Sequence, residues 1–275
     1  MRRVSVVMAS GTWTADLSRP RDLAIPLAFD GPQPNLFEAA AATAAPLRSG
    51  GFVGDVAQGG SCNCSEYRLT PHCNGTHTEC VGHITRQRVS IRDIYKGGLE
   101  PALLLSITPV AASESDEGSN PSPQEGDRLI TAAVLREAWK PWSSTTVSAL
   151  VIRTLPNEAS KLSRRYTTPV PPYLTQQAAQ LIVDRGITHL LLDTPSLDRT
   201  HDEGLLTGHR IFWGMPAGSN DVTAAQRAEA TVTEMIFAAD DVADGRYLLD
   251  LQIAPFDADA APSRPILYCL MVVTD

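Results

Sequence analysis

Basic side chains are in short supply. The chain has 23 Lys and Arg against 31 Asp and Glu, a net charge of −8. A protein that grips nucleic acid non-specifically needs a basic face, so this balance excludes nucleic acid as an expected partner. Long apolar runs are missing too. Nothing approaches the ~20 consecutive apolar residues that span a bilayer, so no membrane partner is expected. The apolar stretch Val4–Met8 after Arg2 and Arg3 is too short for a secretory signal, and Asp16 follows early. Cysteines number five, and four of them (Cys62, Cys64, Cys73, Cys80) lie in one stretch, apart from Cys269. An odd, clustered set is a poor disulfide framework for a chain this long. It reads as thiols in a reducing, cytoplasmic compartment, some of them available to a metal. Internal repeats are absent as well.

What the chain does have is enough apolar material for a sizeable core, with 43% hydrophobic and 20% charged residues over 275 positions. Asn35–Leu47 is Ala-rich and reads as a helix. Pro101–Val110 and Val147–Leu155 are apolar runs of strand length. Leu174–Asp184 has helical spacing and Gly186 as a stop signal, and Ile187–Leu192 follows as a buried strand. Glu229–Ala239 fits a helix or a strand. Tyr247–Pro255 and Ile266–Thr274 read as strands, and Ile266–Val273 is apolar enough to be covered on both faces. The segment 111–127, rich in Ser, Pro, Gly and acid, reads as an exposed loop that interrupts one sheet system within a single domain of 1–275. The sum is mixed α/β with more strand than helix.

The chemistry concentrates between His72 and His83. Three of the six histidines, two cysteines and Glu79 sit there. In an extended chain Cys73, His77, Glu79 and His83 share one face, while His72 and Cys80 face the other way. Thiolate, imidazole and carboxylate together suit Zn²⁺, and three protein ligands leave a position for water or substrate. A bulged strand would put His72 in the first ligand's place instead of Cys73. The same segment also fits a polar strand with buried thiols, or a structural zinc site that borrows Cys62 or Cys64. Free cysteines are often plain small hydrophobes, which is the expectation for Cys62, Cys64 and Cys269.

Gly75-Thr76-His77, with an acid two residues on and His83 six residues on, resembles the motif of the cyclase-like metal-dependent hydrolases, the family of bacterial kynurenine formamidase and isatin hydrolase. That motif reads His-x-Gly-Thr-His-x-Asp-x-Pro-x-His; here Cys73, Glu79 and Val81 replace its first histidine, its aspartate and its proline. The order of further blocks is similar: Asp16-Leu17-Ser18, the strand ending Arg153-Thr154, Gly186–Asp198, Gly208-His209, Thr233–Ile236, and Ser263-Arg264-Pro265. The resemblance implies a swivelling β/β/α-type domain with a central mixed sheet or partial barrel, often a homodimer, that hydrolyses an amide or cyclic amide of a small molecule. It implies metal ligands at Cys73, His77 and Glu79, further ligands at His209 and Glu234, and an acid/base role for His83. A cysteine ligand favours Zn²⁺, with Mn²⁺ as the other candidate. An insertion relative to the usual spacing separates His209 from Glu234. Asp193 or Ser196 would orient the site or simply shape a turn, and Asp257–Asp259 reads as loop surface. The alternatives are a degenerate binding protein on the same fold and a thiol enzyme using Cys73 or Cys80.

Overall fold

A computed structural model describes residues 2–8 and 11–272. Seven strands close on themselves. Around the ring they run Ala260–Val272, Gly245–Ile253, Leu99–Ile107, Ala149–Thr154, His189–Leu192, Thr231–Glu234 and His77–Glu79, and the last pairs back with Ala260–Pro262. The four from Leu99–Ile107 to Thr231–Glu234 are parallel and the remaining pairings are antiparallel. The expected mixed sheet is therefore a closed barrel-like sheet, with few helices. The strands Leu99–Ile107 and Ala149–Thr154 are neighbours, so the 111–127 loop interrupts one sheet.

Alternation along the strands divides the core in two. Leu103, Leu105, Leu150, Ile152, Leu190, Leu192 and Val232 pack against three helices, Ala132–Trp139, Gln176–Asp184 and Thr207–Trp213. Ala102, Leu104, Ala149, Val151, Leu191, Tyr247, Leu249 and Leu267 turn the other way and fill the ring. Parallel strands covered on both faces are buried at every position, as Ala149–Thr154 and His189–Leu192 are, which is why both are largely apolar. Gln176–Asp184 starts at Thr175, whose hydroxyl accepts from the Ala178 N–H, and the chain leaves it through Gly186 at φ +74°.

Three expectations need correction. Asn35–Leu47 is not helical: Asn35–Leu36 and Thr43–Pro46 are short strands. Polar side chains capture this backbone, with the Gln33 amide serving both N–H and C=O of Ala42, and Asn35 donating to the Ala39 carbonyl. The final strand begins earlier, at Ala260, and its cover is uneven: Leu267 is buried in the ring and Leu270 on the opposite face against Trp13 and Ala15, whereas Met271 is 45% exposed; Val273 and Thr274 lie outside the described residues. The 111–127 loop is partly packed. Glu117 accepts from the Ala132 and Ala133 N–H groups at a helix start, and buried Asp127 receives Arg199 and Tyr173. Trp139 and Trp213 are core residues. No described helix is long and apolar enough to cross a membrane.

Candidate metal centre

Thr70 and Pro71 open a single helical turn, Pro71–Asn74. Proline at the first helical position has no N–H to lose and a pre-set φ, so it starts a turn well. Gly75 ends the turn at φ +152°, a conformation that side-chain-bearing residues avoid. The chain then enters the strand His77–Glu79 and leaves it into the 3-10 turn Val81–Ile84. The period-two reading thus holds only within the strand. There His77 and Glu79 share the helix-facing side with Val232 and Glu234, while Thr78 and Thr233 hydrogen-bond to each other at 2.8 Å on the opposite side.

Because Pro71–Asn74 is helical, Cys73 rotates away from the strand's face. It packs with Ile25, Leu36, Tyr166 and Met235, and burial together with the nearby charge of Glu234 pushes its thiol pKa up. His72 comes in instead, with Nδ1 2.9 Å from Glu79 Oε2. The structure forms three groups with ligand atoms within 4.8 Å of one another: His72, His77 and Glu79; Glu79, His83 and His209; and His72, His83 and Asp259. Cys73 is in none of the three. Cys80 is fully buried, donates to the Val89 carbonyl, and has its pKa pushed up to about 12 by burial. Two buried thiols held in their protonated forms are poor nucleophiles. Cys62, Cys64 and Cys269 are exposed rather than core.

His209 reaches the site from the helix Thr207–Trp213, its Nε2 3.0 Å from Glu79 Oε1 and its Nδ1 2.7 Å from Asp198 Oδ2. Asp198 also accepts from the N–H groups of Gly208 and His209. Position 208 must be glycine for this approach, because a Cβ there would lie 2.9 Å from Asp198 Oδ1. Burial opposes a charge on His209, but Asp198 and Glu79 outweigh it and hold its pKa well above the ordinary value. Glu234 Oε1 accepts from the Leu197 N–H, and its Oε2 lies 3.4 Å from His77 Nε2.

Asp259, expected as loop surface, is at the site. The register Ala260↔Glu79 sets it opposite Cys80, and its Oδ2 stands 3.0 Å from His72 Nε2 and 3.5 Å from His83 Nδ1. Burial of His72 opposes its charging, yet Asp259 and Glu79 on either side raise its pKa to about 10. Asp198 and Asp259 are the residues that sequence reasoning missed. Asp198 follows a fully buried parallel strand, a place where sites gather, whereas Asp259 is delivered by a long-range register that no local pattern encodes. Asp193 does not orient the centre: it is buried against Lys161 Nζ at 2.7 Å and Thr154. Ser196 shapes the turn, with its Oγ accepting from the Asp198 N–H.

The donor set fits a divalent ion. His77 Nδ1 stands 2.9 Å from the Gly75 carbonyl, which only accepts, so Nδ1 carries a proton and in the neutral ring Nε2 is the lone pair. That Nε2 is fully buried and makes no well-formed hydrogen bond, with Glu234 Oε2 3.4 Å away, and Glu79 Oε2, although 2.9 Å from His72 Nδ1, is not aligned for one either. Buried polar atoms without well-formed hydrogen bonds are costly, and a cation among them would satisfy them. Among the described residues the ion-pair partners of Glu79, Glu234, Asp198 and Asp259 are all histidines, with no Lys or Arg among them.

Comparisons with known proteins bear on the family and the fold. The sequence model of the family described as putative cyclase matches residues 15–199. No curated protein matches the chain. Among solved structures, isatin hydrolase A from Ralstonia solanacearum is similar with a TM-score of 0.58 at 15% identity, covering 92% of each chain. Isatin hydrolase A from Labrenzia aggregata, bound to benzyl benzoate, gives 0.57 at 14%, covering 91% of this chain and 93% of that one. A potential metal-dependent hydrolase with cyclase activity gives 0.57 at 14%, covering 91% and 97%. At such identities the likeness to these structures is one of fold, and the family follows from the sequence match across most of the chain: the protein belongs to the putative cyclase family.

Proposed function

We propose that this chain is a metal-dependent hydrolase that cleaves an amide or cyclic amide of a small molecule, of the arylformamide or lactam type. His72, His77, Glu79, His209 and Glu234 hold the metal, and His72 takes the first place that the motif alone assigned to Cys73. One observation carries the reading: the buried Nε2 of His77, which makes no well-formed hydrogen bond, converges with a carboxylate oxygen of Glu79 and a ring nitrogen of His72 within 4.8 Å. Without a thiolate among the ligands the case for zinc over manganese loses its basis, since imidazole and carboxylate suit both.

A divalent ion bound there supplies Lewis-acid polarisation of a carbonyl and a nucleophile from water near neutral pH. The protein's own residues do the rest. Asp198 fixes the ring of His209 through Nδ1. His83 is half-buried at the mouth of the cluster with Nδ1 turned toward Asp259 and Glu79, which leaves Nε2 to pass a proton to the leaving amine. Next to this cluster a cavity of about 300 Å³, lined by Leu69, Pro71, His72, Phe256, Ala258 and Asp259, offers room for a small, largely apolar substrate. Isatin, the substrate named by two of the similar structures, is a cyclic amide of that kind. The free thiols accord with a cytoplasmic protein, and a homodimer is the assembly expected of the family; sedimentation checks the latter.

The experiment is hydrolysis of isatin and of an N-formylaniline by protein before chelation, after it, and after metal is restored. The reading expects activity that is lost and regained. Turnover that survives complete metal removal would refute it.

A further inference from the structure

This inference rests on the metal reading above. We propose that Asp259 is a positioning residue: it holds the His72 ring with its Nδ1 lone pair turned to the metal and steadies His83 against it. The two sides of the His72 ring differ. On the Nδ1 side lie Glu79 Oε2, 2.9 Å away, and His77, the buried residues that hold the metal with His72 in the reading above. On the Nε2 side Asp259 Oδ2 stands 3.0 Å away, with its side chain 38% exposed to the cavity and solvent. In the neutral ring that a metal requires, donating Nε2–H to Asp259 leaves Nδ1 as the lone pair, so the carboxylate selects the ligating tautomer. The same Oδ2 lies 3.5 Å from His83 Nδ1, and the His72 and His83 rings stack at 4.3 Å, so one carboxylate fixes both rings.

Asp259 is free for this work. Its ion-pair partners are these two histidines, whereas its neighbour Asp257 pairs with Arg88 on the surface. Its own placement is firm, because the Asp259 carbonyl accepts from the Cys80 N–H at 3.0 Å as the two strands join. The side chain that steadies His72 is thus anchored by the same pairing that presents Glu79.

The test is metal affinity, read by competition with a chromophoric chelator, for the wild type, Asp259→Asn and the surface control Asp257→Asn. Metal-loaded wild type is also examined by ¹⁵N NMR of its histidine rings. The proposal expects a 10–100-fold loss of affinity in Asp259→Asn, none in Asp257→Asn, and a His72 signal with the proton on Nε2. Equal affinity in Asp259→Asn and wild type, or a His72 proton on Nδ1, would overturn it while leaving the metal reading in place. A wild type that takes up no metal would overturn both. Should Asp259→Asn fold poorly, the NMR of the wild type decides alone.

Discussion

His72 and Cys73 are neighbours in the chain, and the direction of a single helical turn decides which of them meets Glu79. Cys73 is turned into an apolar cluster and His72 stands 2.9 Å from the carboxylate. The two substitutions should therefore behave in opposite ways. Cys73→Ser should keep its metal through purification, whereas His72→Ala should lose affinity at least 10-fold, both read by elemental mass spectrometry after dialysis. Metal lost from Cys73→Ser and kept in His72→Ala would return the thiol to the ligand set. The choice was partly legible. Thr70-Pro71 is a helix-start signature and Gly75 a stop, and together they bracket one turn. The alternation argument failed because it treated as extended a stretch that these signals break.

At the level of elements, the helix Thr207–Trp213 delivers His209 only because Gly208 lets its first turn sit on Asp198. In Gly208→Ala the new Cβ would press on Asp198 and Leu197. Overpacking of that kind costs about 1–3 kcal/mol, measurable by urea denaturation, and metal affinity should fall with it as His209 shifts. An unchanged denaturation midpoint with unchanged affinity would show that the helix docks more loosely than described. The strand positions 99–107, 149–154 and 189–192 and the helix 176–184 could be read from the sequence, since buried parallel strands and a capped amphipathic helix have strong local signals. Asn35–Leu47 misled because alanine content favours a helix, while Gln33 and Asn35 tie the backbone into another shape from outside the periodic pattern.

Across the whole molecule, the ring closes where His77–Glu79 pairs with both Thr231–Glu234 and Ala260–Pro262, and the candidate centre is built at that closure. His209 and Glu234 were foreseeable from the order of the motifs, but Asp259 was not, because its place depends on a register between segments some 180 residues apart. The packed 111–127 loop adds a pH dependence of its own. Burial raises the pKa of Asp127, but Arg199, the Gln124 N–H and Tyr173 outweigh this and lower it below the ordinary value. A group with a lowered folded pKa stabilises the protein above its unfolded pKa of about 3.9 and loses that contribution as pH falls through the folded value. Asp127→Asn should therefore be less stable than the wild type at pH 7 by about 1–3 kcal/mol, with the gap narrowing below about pH 4. Denaturation at pH 7 and pH 3 measures it, and a gap that widens in acid would contradict the assignment.

The central claim is that His77 and Glu79 hold a metal, and metal content tests it most directly. Protein purified without chelator, and the same protein carrying His77→Ala, are analysed by elemental mass spectrometry. The account predicts near-stoichiometric zinc or manganese in the wild type and its loss in the variant. A wild type with no metal and no uptake on addition, or a His77→Ala protein that keeps its full complement, would contradict it.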